Sequence, residues 1–179
     1  MFYITVILIA NLIIALSNCF VNEKSFLFYL GLSIAATAEV IAVDAVTAFA
    51  IRRFPEKYFD VSTTVHSPKW ERCLYRRLSV KRWSSFVPEL GVFTGFSKRK
   101  LESRDDKEYL ARFILESNYG VYIHVANALF GGSILLLPAG NIYGIGIPVT
   151  AVNFLLSLMP AAILRNNLPM LQRLYNKKL

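Results

Sequence analysis

The chain has 179 residues, 55% of them apolar, and a formal net charge of +8. The length suits one domain, and so large an apolar share excludes an ordinary soluble fold of this size. The cations are unevenly placed: the first 51 residues hold one Lys and no Arg, and most of the remainder lie between Arg52 and Arg112. Cations set between apolar segments point to anionic lipid headgroups as the counter-charge. They do not point to nucleic acid, whose signature is a basic face on a soluble fold. Cys19 lies in an apolar segment and Cys73 in the basic stretch, so neither a disulfide nor a metal site is expected.

Met1 to Phe20 is an almost unbroken apolar run, and a span needs roughly 20 such residues. A signal peptide would want a basic start and a small-residue cleavage site, so a retained helix is the expectation. Phe26 to Ile51 is long enough for a second span and carries Glu39 and Asp44 near membrane depth; Phe54-Pro55 marks its end. Tyr119 to Pro138 and Tyr143 to Leu164 predict a third and fourth span, with Pro138 to Asn141 as the turn between them. The expected fold is therefore all-α: a single membrane domain over 1–179, with spans at about 1–20, 26–51, 119–138 and 143–164. The loop 52–118 forms an amphipathic, interfacial layer. Lys and Arg counting places that loop and both termini in the cytoplasm, because the two other connections carry only Lys24 between them.

Within the loop, Lys69 to Trp83 predicts one amphipathic helix. Trp70, Cys73, Leu74 and Leu78 recur on one face, and Lys69, Arg72, Arg76 and Lys81 occupy much of the rest. Trp at both ends suits the headgroup region; a soluble helix packed on its neighbours is the alternative. Val87-Pro88-Glu89-Leu90-Gly91 predicts a turn, followed by the cationic cluster Ser97-Lys98-Arg99-Lys100. No Walker-type glycine spacing supports nucleotide binding there. Asp105 to Glu116 predicts a helix running into the third span, with Glu108, Arg112 and Glu116 as a ladder of charge pairs.

Several residues are candidates for chemistry. His124 sits about a turn inside the third span, where an ionisable group is either functional or a hydrogen-bonded packing residue. As a neutral imidazole it can take a proton from a hydroxyl. Glu116 lies about 12 Å from it along the helix axis, too far for contact. It either orients a substrate or pairs with Arg112. Asp44 and Glu39 are about 140° apart around their helix and form no common face. Asp44, nearer the basic side, is the better site candidate. His66 and Glu71, with four residues between them, weakly match a His–acid acyltransferase spacing. Arg165 and Asn167 can bind a carbonyl or phosphate; the competing reading of Arg165-Asn-Asn-Leu-Pro169 is a helix cap and stop signal.

Set in order, these pieces resemble a known family. Trp70-Glu71, Tyr75, Val80-Lys81-Arg82-Trp83, Pro88-Glu89-x-Gly91, Phe96-Ser97-Lys98 and Leu101 look like the central loop of the glycosyl-4,4′-diaponeurosporenoate acyltransferase family. Tyr109-Leu110-x-Arg112-Phe113, Glu116, Gly120, His124 and Arg165-x-Asn167-x-Pro169 continue the pattern from about Phe59 to the C-terminus. The chain departs from it at Asn118, Tyr119, Val121, Val125 and Leu168.

The resemblance implies acyl transfer from an activated donor, acyl-CoA or acyl carrier protein, to a hydroxyl of a lipid-linked acceptor such as a glycosylated carotenoid. On this expectation His124 is the base. Glu116 is its catalytic companion, Arg165, Asn167, Lys81, Trp83, Glu89, Lys98 and Arg112 bind the substrates, Asp44 joins them from the reading of the second span, and no metal or bound cofactor takes part. The partners would be membrane lipids and the acceptor, not nucleic acid. The alternative is a non-catalytic membrane scaffold whose basic loop holds anionic lipid or a partner. A small transporter using Glu39 and Asp44 is less attractive without an evident repeat.

Overall fold

The computed structural model describes residues 2–64, 67–88, 101–136 and 142–177, and these are helical or irregular with no strand among them. The described residues hold six α-helices in order: α1 Phe2–Val21, α2 Phe26–Arg52, α3 Lys69–Arg77, α4 Val80–Trp83, α5 Lys107–Phe130 and α6 Ile147–Asn176. Among the described residues, four helical stretches are long and apolar enough to cross a membrane: Phe2–Val21, Phe26–Arg52, Lys107–Leu136 and Tyr143–Asn176. The chain divides into two compact units, Met1–Phe49 with Val125–Leu158 and Ala50–His124 with Met159–Leu179.

The first unit is built inside out relative to a soluble protein. On α1 the buried positions are Asn11, Ile14, Ala15 and Asn18, while Ile4, Leu8, Ile9, Leu12 and Ile13 are exposed. Large apolar side chains outward and small or polar ones inward suit a hydrocarbon solvent, where polar groups must find protein partners. Asn11 Oδ1 accepts hydrogen bonds from Ser33 Oγ and Thr37 Oγ1 of α2. Asn18 Nδ2 donates to the Gly144 carbonyl at 2.7 Å, in the widened turn Ile142–Gly146 that precedes α6. Ile14, Ala15, Tyr29, Ala36, Val40, Ile145 and Val149 form the apolar core between these polar ties. Gly131 opens the 3₁₀ segment Gly131–Leu136, and a Cβ there would collide with the Asn153 amide, which itself donates to the Asn127 carbonyl at 3.2 Å.

The second unit packs the first half of α5 against the end of α6. Asp106 starts α5 by accepting at Oδ1 from the backbone N–H groups of Glu108 and Tyr109, satisfying two orphan donors. Leu110, Phe113 and Ile114 then meet Leu168 and Leu171 in a core that excludes water. The helix stop, the competing reading of Arg165 to Pro169, does not occur: α6 runs through both Pro160 and Pro169 to Asn176. Proline removes one helical hydrogen bond and crowds the preceding turn, and burial of Leu168 and Leu171, each 1% exposed, offsets that loss.

The single helix expected over Lys69 to Trp83 is two. Helix α3 ends at Arg77, and Ser79 takes a left-handed conformation, φ 51° and ψ 39°, before α4 begins. That conformation costs a non-glycine residue roughly 1–2 kcal/mol. The kink buries Val80 to 1% exposure, worth a comparable amount.

Candidate functional site

Helix α3 presents three different faces. Trp70, Leu74 and Leu78, four residues apart, form an exposed apolar stripe. Glu71 is buried beside half-buried Tyr75. Lys69, Arg72, Cys73 and Arg76 line a cleft of about 890 Å³. Cys73 thus turns away from the stripe it was expected to join. The opposite walls of the cleft are Lys81 and Arg82 of α4 and Arg165, Asn166, Pro169, Met170 and Arg173 of α6.

One acid is set into this cationic wall. Glu71 receives the Arg165 guanidinium in a two-pronged ion pair, Nε to Oε1 at 2.8 Å and Nη2 to Oε2 at 3.2 Å. Tyr75 donates its hydroxyl to the same Oε1 at 2.7 Å. Burial, then the hydrogen bond to Glu71 and its negative charge, push the Tyr75 phenol well above its ordinary range, and Arg165 opposes them only in part. Tyr75 is therefore a neutral hydrogen-bond donor throughout the physiological range. Among the described residues, Lys69, Arg72, Arg76, Lys81, Arg82 and Arg173 form no ion pair. Their charge faces the cleft and is available to an anion.

The stretch after α2 is anchored to α5 by a second set of contacts. Asn118 Nδ2 donates to the Phe59 carbonyl and to Thr64 Oγ1, both at 2.7 Å. Tyr119 donates to the Phe54 carbonyl at 2.9 Å and stacks on Phe59 with ring centroids 4.1 Å apart. Asp60 caps the intervening turn, and hydrogen bonds led by the Ser62 hydroxyl hold its carboxyl below the usual range. Arg52 pairs with Glu116 at 3.0 Å and lies over the Tyr119 ring. Two of the departures from the family pattern, Asn118 and Tyr119, are thus occupied in fastening this segment.

The sequence-predicted candidates are dispersed. Lys81 and Arg165 both line the cleft. Asn167 does not; its neighbour Asn166 does, because one residue turns the helix by about 100°. Trp83 donates its indole N–H to the Leu78 carbonyl at 3.0 Å and so caps the broken end of α3. Glu116 is engaged by Arg52, and Arg112 is an exposed residue of the same helix. His124 is half-buried further along α5. Asp44 belongs to the first unit, with Oδ1 buried and unpartnered. Glu89 and Lys98, like His66 of the His–acid spacing and the Pro138–Asn141 turn, fall outside or run beyond the described residues. No metal-binding group of His, Cys, Asp or Glu occurs among the described residues. Tyr75 and the pairing of Glu71 with Arg165 were missed as site features. The available signal was Glu71 itself, the one acid between Lys69 and Pro88.

Four apolar helices and a cationic, cleft-bearing helical layer define an α-helical membrane protein equipped to meet anions. A family model for glycosyl-4,4′-diaponeurosporenoate acyltransferase matches residues 55–177, and the chain belongs to that family, which makes it an acyltransferase relative of carotenoid biosynthesis. No curated protein and no solved structure matches it significantly.

Proposed function

We propose that the protein moves a fatty acyl chain from an activated, anionic donor to a hydroxyl of a lipid-linked acceptor, with a glycosylated carotenoid as the class the family suggests. The observation that carries this reading is the cationic cleft beside Arg165 in a chain of acyltransferase family. Six cations without an ion-pair partner among the described residues attract the donor, and the Glu71 carboxylate keeps Arg165 extended along the wall.

In this reading the acceptor oxygen attacks the thioester carbonyl. A C–O bond forms, the C–S bond breaks, and the hydroxyl proton passes to the imidazole of His124 and then to the leaving sulfur. Glu116 and Asn167 help to position the substrates. The basic layer and both termini lie on the cytoplasmic side, in keeping with the positive-inside rule. Neither a metal nor a bound cofactor is needed for the transfer.

Lipid mass spectrometry of cells with and without the gene tests the activity. A lipid lighter by one acyl chain in the deletion strain is expected; an unchanged lipidome overturns the enzyme reading and favours a scaffold. Restoration of the heavier lipid by the His124→Ala protein would remove that residue from the role of base.

A further inference from the structure

We infer that the cleft between α3, α4 and the end of α6 is a site for the phosphates of coenzyme A, so that the acyl donor is an acyl-CoA and not an acyl carrier protein. This rests on the acyl-transfer reading above and names its donor. The first argument is charge. Arg165 is neutralised by Glu71, yet six further cations around the cleft have no ion-pair partner among the described residues. Cations crowded without counter-ions repel one another, and a compact polyanion relieves that repulsion.

The second argument is shape. The cleft is a concavity of about 890 Å³, within the roughly 300–1,000 Å³ typical of small-ligand sites. Its cations converge from three helices toward a common space. Coenzyme A carries a 3′-phosphate and a 5′-diphosphate close together, and guanidinium forks grip phosphate oxygens in pairs. An acyl carrier protein brings one phosphodiester on its prosthetic arm, with its carboxylates spread over a convex surface. Such a partner calls for cations spread over an open surface, whereas these six, though each is exposed, line one hollow. Pro169 and Met170 add an apolar patch to the wall on which a purine can lie.

The test is direct binding to the full chain, reconstituted in nanodiscs of zwitterionic lipid and titrated calorimetrically. Coenzyme A should bind. Dephospho-coenzyme A, lacking the 3′-phosphate, should bind at least tenfold more weakly, and so should coenzyme A to the Arg76→Gln/Lys81→Gln protein. Addition of phosphatidylglycerol separates the two phosphate sources: binding that persists supports a nucleotide site, while complete displacement assigns the cleft to lipid headgroups. Equal affinity for coenzyme A and its dephospho form, no binding, or preference for acyl carrier protein overturns the inference. The lipid assay keeps the two readings apart. Acylated lipid formed by a chain that ignores coenzyme A sinks the donor assignment alone. Coenzyme A binding without transfer from any donor sinks the acyltransferase reading and leaves the nucleotide site.

Discussion

Arg165 and Glu71, 94 positions apart in the chain, meet through two hydrogen bonds, at 2.8 and 3.2 Å, with side chains only 15% and 10% exposed. A pair this dry is costly to break from one side, because the surviving charge is stranded. Removing one partner of a buried pair costs about 3–5 kcal/mol; the open cleft beside Arg165 lets in water, so about 2–3 kcal/mol is expected for Glu71→Gln. Replacing both by methionine should recover most of the loss. Thermal unfolding in detergent micelles measures it. Losses that simply add, the double change costing as much as the two single changes together, would show that the pair is not coupled.

Tyr75 supplies a pH signature for the same cluster. Its phenol titrates higher in the folded protein than the ordinary value of 10.0. The folded state therefore holds the proton where the unfolded chain releases it. By linkage the contribution is complete below about pH 10 and falls as pH rises through the folded value. Unfolding midpoints of the native chain should drop above pH 10 by more than those of Tyr75→Phe, which at neutral pH loses about 1 kcal/mol with the hydrogen bond. Parallel pH curves for the two proteins would contradict the assignment.

The four spans were legible because a bilayer imposes a length, and a run of apolar residues reveals it without knowledge of any partner. The break in the basic helix was not, since Leu78 and Ser79 carry no strong helix-stop signal; the kink is held by burial of Val80 and by the Trp83 indole on the Leu78 carbonyl. Nor was the continuation of α6 past Pro169, where propensity points to an end and the packing of Leu168 and Leu171 prevails. Lys81 and Arg165 could be named from their charge. That Glu71 holds Arg165, and Arg52 holds Glu116, depends on contacts between distant segments, which local periodicity does not encode.

Asn118 is the tie between α5 and the segment after α2. Its amide satisfies the Phe59 carbonyl and the Thr64 hydroxyl at once, and it is 5% exposed. Asn118→Ala leaves both acceptors without that donor in a site too tight for easy hydration. A loss of about 1–3 kcal/mol follows. Hydrogen exchange should show faster amide turnover confined to residues 54–64, and an unchanged pattern there would exclude the anchoring role.

The exposed stripe of Trp70, Leu74 and Leu78 has a neighbour of stated chemistry available, the headgroup layer of the bilayer that the apolar helices of this chain require. Trp70 is 68% exposed and stands beside a cationic face, the arrangement of an interfacial helix. Trp83, occupied with the Leu78 carbonyl, is a poor candidate for the same task. In a Trp83→Phe chain Trp70 is the only tryptophan, and its emission reports its surroundings. Lipids brominated near the headgroup should quench it strongly, and lipids brominated at the chain ends should not, since an interfacial ring reaches only about 5–10 Å into the acyl boundary. Trp70→Ala should blunt binding little but loosen α3, visible as faster exchange of its amides. Emission at the wavelength of a water-exposed indole, indifferent to every brominated lipid, would place this stripe in solvent and leave it open to another protein.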